Sequence, residues 1–368
     1  MEMKKTKKAF TLIELIIVIT VLGVISLMSF NTLMNLYQNY FQSKVINELE
    51  TQSEIALEQI SMLLSHRIKQ SVIARKKNGD YLALNDSGVN LSSDFEILEF
   101  IPAAYELFDG INEYKGDDTN GDPIIEEGIY SGYVDLANSS VANGLKSPGS
   151  KFNDAFRNGV MDLTCENDSN EEDVNSGSRC INADNENGGL VAIFSSILYR
   201  VGSSFGYQEN LDQRHLDIAK IGIQSIDMLK ISSDFKNKKI SEQYKLAYTA
   251  IAIAPAEQSA EDVQNGSFDL KIYYNYRPWL NESFKKFSST STKAIKAESA
   301  TLAKHVTRFV FTEKNGVIAL KLCLKAEKSE ITICKSRRFI DEKRIYINSG
   351  DIFSSCGSFY QYSCSFDS

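Results

Sequence analysis

The strongest pattern in the chain is an uninterrupted apolar run near its beginning, from Phe10 to Phe30. Glu14 is the only charged residue in this run. At about 1.5 Å of rise per residue, a helix of this length spans roughly 31 Å, which matches the hydrocarbon core of a bilayer. The run predicts a membrane-spanning helix over residues 10–30. Lysines ahead of it place that end in the cytoplasm and the rest of the chain outside: Lys4, Lys5, Lys7 and Lys8.

A helical pattern continues beyond the span, over residues 31–78. Neither Gly nor Pro occurs between Val24 and Asn78, and apolar residues recur at spacings of three and four, which indicates one face of a helix. Acidic residues come early in this segment and basic residues late, an order that complements the helix dipole. We therefore predict a helical stalk that ends before Gly79. This apolar face alone would also fit a membrane-proximal coiled coil.

In the outer part of the chain, the composition and the hydrophobic pattern change twice. Residues 79–189 are predicted to form a variable, loop-rich part of the head. Within it, Asn138–Gly189 is rich in Asn, Ser, Gly and Asp and predicts long loops or partly disordered inserts. Residues 190–368 are predicted to form a β-rich head, with a hairpin at Asn315-Gly316 and a helix around Thr292–Lys304. The candidate strands, the first of which also fits a helix, are Phe95–Phe100, Leu190–Phe194, Tyr244–Ala254, Phe268–Tyr276, Val306–Thr312, Val317–Leu324 and Ile331–Phe339.

Composition and charge narrow the range of functions. The chain has 368 residues, of which 43% are apolar, and this is enough for a substantial core. Its formal net charge of −8 argues against nucleic acid as the main partner. The three histidines are scattered, and no nucleophile elbow, P-loop or H-E-x-x-H motif occurs. We therefore expect a protein that is not an enzyme.

The segment Lys7–Leu15, with the sequence KKAFTLIEL, resembles the signal of type IV prepilins and type II secretion pseudopilins. The resemblance implies a leader peptide, cleavage by prepilin peptidase between Ala9 and Phe10, and N-methylation of Phe10. Glu14 matches the family glutamate, which we expect to pair with the new amine of a neighbouring subunit during filament assembly. Gly23 matches a glycine commonly found in the helix. The departure from the family pattern is Ala9, where glycine is usual.

The resemblance also implies a fold, a location and a set of partners. The fold is α+β and pilin-like: a long N-terminal helix packs on a C-terminal antiparallel β-sheet with long acidic loop inserts. The leader is residues 1–9, and the protein is a single-pass inner-membrane protein with a cytoplasmic N-terminus and a periplasmic head, which can join a surface filament after assembly. Its partners are prepilin peptidase, other pilins or pseudopilins through the N-terminal helix, and the assembly platform of the filament machine.

The implied function is that of a minor pilin or pseudopilin. Such a subunit serves in the filament of a type II secretion system, a type IV pilus or a DNA-uptake machine. Two alternatives stay open. One is an adhesive tip pilin whose head binds a surface or ligand, and the other is a single-span periplasmic protein that does not polymerise.

Six cysteines lie in the outer part of the chain, where an oxidising compartment favours disulfides. The nearest-neighbour pairs are Cys165–Cys180, Cys323–Cys334 and Cys356–Cys364. If Lys328-Ser329 forms a two-residue turn, the cysteines of the middle pair face each other on adjacent strands. Six cysteines allow many other connectivities. No C-x-x-C motif occurs, so a zinc site is not expected.

An acidic turn in the variable part offers a candidate calcium loop. Asp118, Asn120 and Asp122 alternate as in the first half of an EF-hand loop, where side-chain oxygens converge on Ca²⁺. Two positions depart from that loop, because proline replaces its glycine and isoleucine replaces its final bidentate glutamate. Glu127, or its neighbour Glu126, is then the remaining candidate ligand. The alternative is a solvated acidic turn without metal.

Overall fold

The computed structural model describes residues 11–90, 94–165, 180–210, 215–235, 239–258, 266–327 and 329–340. The helices are α1 (Leu12–Ser65), α2 (Tyr105–Asp109) and α3 (Asp154–Asp162). The strands are β1 (Ile73–Lys76), β2 (Tyr81–Ala83), β3 (Phe95–Phe100), β4 (Ile111–Asp117), β5 (Pro123–Gly128), β6 (Leu145–Lys146), β7 (Val191–Phe194), β8 (Ala219–Ser225), β9 (Met228–Ile231), β10 (Tyr244–Ala247), β11 (Ala250–Pro255), β12 (Phe268–Tyr276), β13 (Glu282–Ser283), β14 (Ala294–Ile295), β15 (Glu298–Lys314), β16 (Val317–Lys325) and β17 (Thr332–Ile340).

The predicted membrane span and stalk form one continuous helix, α1, of 54 residues. This helix ends at Ser65, well before the predicted end at Asn78. The Arg67 side chain donates a hydrogen bond to the Leu64 carbonyl oxygen at 2.7 Å, which satisfies a carbonyl of the last turn. Farther on, Ile73–Lys76 forms β1, which pairs with β2 and β3. The predicted stalk is therefore too long, because ladder pairing with distant strands overrides the helical spacing of its last residues.

The head is built on an eight-stranded sheet with the order β17-β16-β15-β12-β11-β3-β1-β2. All of its neighbouring strands pair antiparallel. This confirms the α+β class, with a long N-terminal helix followed by a large antiparallel sheet. The hairpin predicted at Asn315-Gly316 connects β15 and β16, and both of its residues have positive φ, as a two-residue hairpin turn requires.

Predictions for the head also need correction. The segment Thr292–Lys304 is not a helix: it contains β14 and the first part of β15, which pairs with β12 from Glu298 onward. That ladder outweighs the helical propensity of its Ala, Lys and Glu residues. The segment Asn138–Gly189 is not only loop, because it contains β6 and α3. The helix α3 has an N-cap in Asn153, whose side chain accepts a hydrogen bond from Phe156 N at 3.1 Å.

A second, five-stranded sheet has the order β10-β7-β8-β9-β6. The single strand predicted over Tyr244–Ala254 is two strands, and they belong to different sheets: β10 lies in the five-stranded sheet and β11 in the eight-stranded one. Only Tyr248 and Thr249 separate them. The two sheets are therefore joined by a very short connection.

Hydrophobic cores lie on both faces of the eight-stranded sheet. On one face, the second half of α1 packs against residues such as Leu98 and Leu320. On the other face, Ile97 and Tyr276 pack with residues of β7 and of the long loops. Leu98 and Ile97 are adjacent in β3 and contribute to opposite cores, as the two-residue period of a strand requires. A third core lies within the five-stranded sheet, α2 and α3.

Candidate functional site

The N-terminal end of α1 is capped by Thr11, whose Oγ1 accepts a hydrogen bond from Glu14 N at 3.4 Å. Glu14 lies in the first turn, where a carboxylate interacts favourably with the positive end of the helix dipole. Its side chain is exposed, and no cation in the described part of the chain forms an ion pair with it. The predicted processing residues, Ala9 and Phe10, lie outside the described residues.

The first part of α1 exposes its apolar side chains on every side. All residues from 11 to 44 are exposed, and large side chains such as Ile13 and Phe30 are 69% and 60% accessible. The helix is long and apolar enough to cross a membrane. A continuous apolar surface of this size is unfavourable in water, so this part of α1 is compatible with a single-pass membrane anchor.

Gly23 lies in the middle of this exposed part of α1. Glycine inside a helix costs roughly 0.5–1 kcal/mol relative to alanine. A Cβ atom at Gly23 would meet no atom within 4 Å, so packing within the described chain does not require glycine there. In membrane helices, small residues allow a second helix to approach closely.

The second half of α1 is attached to the head by a buried stripe and by ion pairs. Lys335 Nζ donates a hydrogen bond to Glu54 Oε2 at 2.9 Å, and this bond lowers the pKa of the Glu54 carboxyl below its usual value. Arg337 Nη2 lies 4.0 Å from Glu58 Oε1. Sequence reasoning missed these pairs, although acids four apart on a helix and bases two apart on a strand share a face. The buried residues of the stripe are Leu49, Ser53, Ala56, Leu57, Ile60 and Leu64.

The candidate calcium residues lie in and beside the turn between β4 and β5. Asp118 Oδ1 accepts hydrogen bonds from the backbone N–H groups of Asn120 and Asp122, at 2.8 and 2.9 Å, and these bonds lower the pKa of its carboxyl. Glu127 Oε2 instead lies 2.6 Å from Lys151 Nζ. Among the described residues, no cluster of three or more His, Cys, Asp or Glu side chains is arranged to hold a metal ion. Calcium binding stays a prediction, and a melting temperature unchanged by calcium would rule it out.

Two of the three nearest-neighbour disulfides are present in the structure. Cys165 is bonded to Cys180 and joins the segment after α3 to the start of the next described segment. Cys323 is bonded to Cys334, and the two residues face each other in the β16–β17 pair, in the register that a two-residue turn predicts. The third pair, Cys356–Cys364, lies outside the described residues.

A buried polar cluster, on the face of the eight-stranded sheet opposite α1, is the main feature that sequence reasoning missed. The guanidinium of Arg75 lies 2.9 Å from Glu99 Oε2, and the Tyr276 hydroxyl donates a hydrogen bond to Glu99 Oε1 at 2.9 Å. Lys293 Nζ donates a hydrogen bond to the Gly206 carbonyl oxygen at 2.6 Å. Each charge has a partner, as burial demands. The cluster ties strands to the loops that cover them.

Trp279, the one tryptophan of the chain, is fully buried. Its Nε1 donates a hydrogen bond to the Gly189 carbonyl oxygen at 2.9 Å. The ring therefore anchors a loop and offers no exposed surface for a ligand.

Together, the exposed apolar helix and the sheet attached to its second half define a helix-and-sheet protein with a candidate single-pass membrane anchor. Residues 4–30 match the family model described as the prokaryotic N-terminal methylation motif. This match supports a prepilin-like protein of the type IV pilin-like class, and the motif implies processing by a prepilin peptidase and assembly with other pilins. Searches of curated proteins and of solved structures find no match to the chain.

Proposed function

We propose that the protein is a minor pilin or pseudopilin, a structural subunit of a filament that serves type II secretion, a type IV pilus or DNA uptake. The observation that carries this proposal is the form of α1. Its first part is exposed and apolar and contains most of the methylation motif, while its second part is buried against the head. In this arrangement one helix supplies both the membrane anchor and the contact surface for other subunits. The protein is then a substrate of prepilin peptidase and not itself an enzyme.

The proposed topology follows from the charges around the span. The four lysines before Phe10 stay in the cytoplasm, and the head lies in the periplasm. Prepilin peptidase cuts between Ala9 and Phe10 and methylates the new amine of Phe10. The mature subunit remains in the inner membrane until the assembly platform moves it into a filament.

Glu14 then acts in the docking of subunits. A carboxylate within an apolar span is unfavourable unless it gains a partner. The cationic amine of Phe10 on a neighbouring subunit provides that partner, and the exposed Gly23 lets the neighbouring helix approach closely. The pair would set the register between subunits, because only one axial position brings the two charges together.

The first test is mass spectrometry of the native N-terminus. We expect a chain that starts at N-methyl-Phe10, and a chain that starts at Met1 in a strain without prepilin peptidase. An uncut chain in a strain with active peptidase would contradict the proposal. A cut chain that stays out of every filament would support processing and reject the structural role.

The second test separates insertion from assembly. Glu14→Val should leave the protein in the membrane fraction and reduce its crosslinking to other pilins at least tenfold. Thr20→Val is the matched control, because Thr20 is also exposed on α1 and its hydroxyl bonds only to carbonyl oxygens of its own helix. Normal assembly of the Glu14 variant would refute the docking role.

The size of the head supports a minor position in the filament. The described head alone extends from β1 to β17 and contains two sheets, and a bulky head crowds a helical lattice if every subunit carries one. We expect quantitative mass spectrometry of purified filaments to find far fewer copies of this chain than of the main subunit. A ratio near one would assign it the role of main subunit.

A further inference from the structure

A cleft lies in the head beside the C-terminal end of α1, and none of the features above uses it. It has a volume of about 470 Å³, within the usual range of binding clefts. Its walls come from the end of α1, from α2, from the ends of β7 and β10, and from residues 130–133. The cleft therefore lies where the helix, the variable part and the five-stranded sheet meet.

Aromatic rings dominate the surface of this cleft. Tyr105, Phe108 and Tyr133 line it and are 46%, 47% and 57% accessible. Beneath them, the buried rings of Tyr130 and Tyr244 lie 5.8 Å apart. Burying exposed rings of this kind against another apolar or aromatic group is favourable, so they form a surface suited to binding such a group.

The cleft also has charged groups of both signs. Arg67, Lys69 and Lys245 line it, while the Glu106 and Asp217 carboxylates act on the lining tyrosines Tyr130 and Tyr199. Arg67 is largely buried and already donates a hydrogen bond to the end of α1, so it contributes a fixed charge to the cleft wall. Because exposed rings cover most of this surface, an occupant rich in aromatic rings would complement it.

The last strand of the sheet, β17, ends close to the cleft. The strand β17 ends at Ile340, and the ring of the preceding residue, Phe339, lies 5.5 Å from the guanidinium carbon of Arg67. When extended, the four residues 341–344 can bridge roughly 13 Å. The residues after them therefore begin within reach of the cleft.

The composition of residues 345–368 is unusual for this protein. A quarter of these residues are aromatic, against 10% of the whole chain. Asp351 and Asp367 are the only charged residues in this segment. So many apolar rings favour burial over exposure to water. The aromatic residues are Tyr346, Phe353, Phe359, Tyr360, Tyr362 and Phe366.

We propose that residues 345–368 dock in the cleft of their own chain, with their aromatic rings on Tyr105, Phe108 and Tyr133. The C-terminal segment then fastens the end of α1 to the five-stranded sheet, across the boundary that β10 and β11 also bridge. A glycan or a peptide from another protein would use the same rings. The contact between Phe339 and Arg67 and the high aromatic content of residues 345–368 favour the chain's own tail.

Photo-crosslinking of the full-length protein in detergent tests the proposal. The photoreactive residue p-benzoylphenylalanine replaces Tyr133, and in a control it replaces Ile226, which is exposed to a similar extent, 55%, between β8 and β9. We expect at least tenfold more crosslinking to residues 345–368 from position 133 than from position 226. Equal yields, or crosslinks from position 133 to other segments only, would overturn the proposal.

Isotope mixing distinguishes docking within one chain from docking between chains. When ¹⁵N-labelled and unlabelled proteins are mixed before irradiation, docking within a chain gives only peptide pairs of the same label. Mixed pairs would show that a second copy occupies the cleft, and attachment of a copurified glycan or foreign peptide would show another occupant. Either result would overturn the proposal.

Hydrogen exchange provides a measurement that does not depend on crosslinking chemistry. Deletion of residues 345–368 should accelerate amide exchange in residues 105–108 at least tenfold and leave exchange in β16 unchanged. Unchanged exchange in residues 105–108 would contradict docking. Because the crosslinking needs no deletion, the proposal can still be refuted if the shortened chain fails to fold.

Discussion

Lys293 makes the sharpest prediction about how the stability of the head depends on pH. Lys293 is 8% exposed, and its Nζ donates a hydrogen bond to the Gly206 carbonyl oxygen. The pKa of Lys293 falls from 10.5 to about 8, chiefly because burial removes water from the protonated amine. The Glu99 and Glu209 carboxylates oppose this change and the Arg75 guanidinium adds to it, and all of these effects are contained in the value of about 8.

The direction of the pH effect follows from the two pKa values of Lys293, 10.5 in the unfolded chain and about 8 in the folded chain. Between pH 8 and pH 10.5 the unfolded chain keeps the proton on Lys293 while the folded chain has lost it. The unfolded state therefore binds more protons, and stability rises with pH in this window. Two-state linkage with these values gives an increase in the free energy of unfolding of about 1.5 kcal/mol between pH 8 and pH 9.5.

Buried tyrosines limit the pH range in which the effect of Lys293 on stability can be measured. Desolvation raises the pKa of Tyr130, Tyr199 and Tyr244 above 10, so the folded state keeps their protons at a pH where the unfolded state loses them. Their contribution to stability is present below pH 10 and is lost as the pH rises through that value and beyond. Measurements up to pH 9.5, compared between variants, separate the lysine from the tyrosines.

The assay is urea unfolding in a mild detergent, followed by the fluorescence of Trp279, the only tryptophan and a fully buried one. Lys293→Met removes the titrating group at similar side-chain length, and Lys286→Met is the control because Lys286 is exposed nearby in the chain. The wild type and the control should each gain about 1.5 kcal/mol more than Lys293→Met between pH 8 and pH 9.5. An equal gain in all three proteins would refute the lowered pKa of Lys293.

Three further predictions concern stability and use the same unfolding measurement. Ile60→Ala should lower the free energy of unfolding by about 2–5 kcal/mol, since Ile60 is fully buried between α1 and the sheet. The control Ile55→Ala, at a half-exposed position of the same helix, should change it by less than about 0.5 kcal/mol. Similar losses of stability in the two variants would contradict this packing. Glu99→Ala should cost about 3–5 kcal/mol, because it leaves a buried guanidinium unpaired, and a loss below about 1 kcal/mol would show that the charge is not buried. Replacing Cys323 and Cys334 together by alanine should cost about 2–4 kcal/mol under non-reducing conditions; no loss would mean that the bond is absent in solution.

Local patterns in the sequence are enough to predict the parts of the fold that depend on near neighbours. The strand Phe268–Tyr276 has the predicted bounds, because alternation and β-branched or aromatic residues mark it. The β15–β16 hairpin follows from its Asn-Gly turn, and the facing positions of Cys323 and Cys334 follow from the loop that joins β16 to β17.

Features that depend on distant partners could not be read in this way. The strand β1 looks like the continuation of a helix until β3 pairs with it, and β3 in turn needs β11, about 150 residues later. Arg75 and Glu99 look like surface residues, and only the sheet register and the covering loops make them a buried pair. For the candidate assembly site the reverse holds, because Glu14 and its apolar surroundings are adjacent in sequence and need no fold to bring them together.

The direction of α1 relative to β17 has a mechanical consequence. Glu54 pairs with Lys335 and Glu58 with Arg337, so the helix and this edge strand run parallel, side by side. A pull along α1, from either end, therefore loads the contact between helix and sheet in shear, where the buried stripe and both ion pairs resist at the same time. Peeling would break these contacts one after another at a lower force. The head is built to stay on its helix under tension.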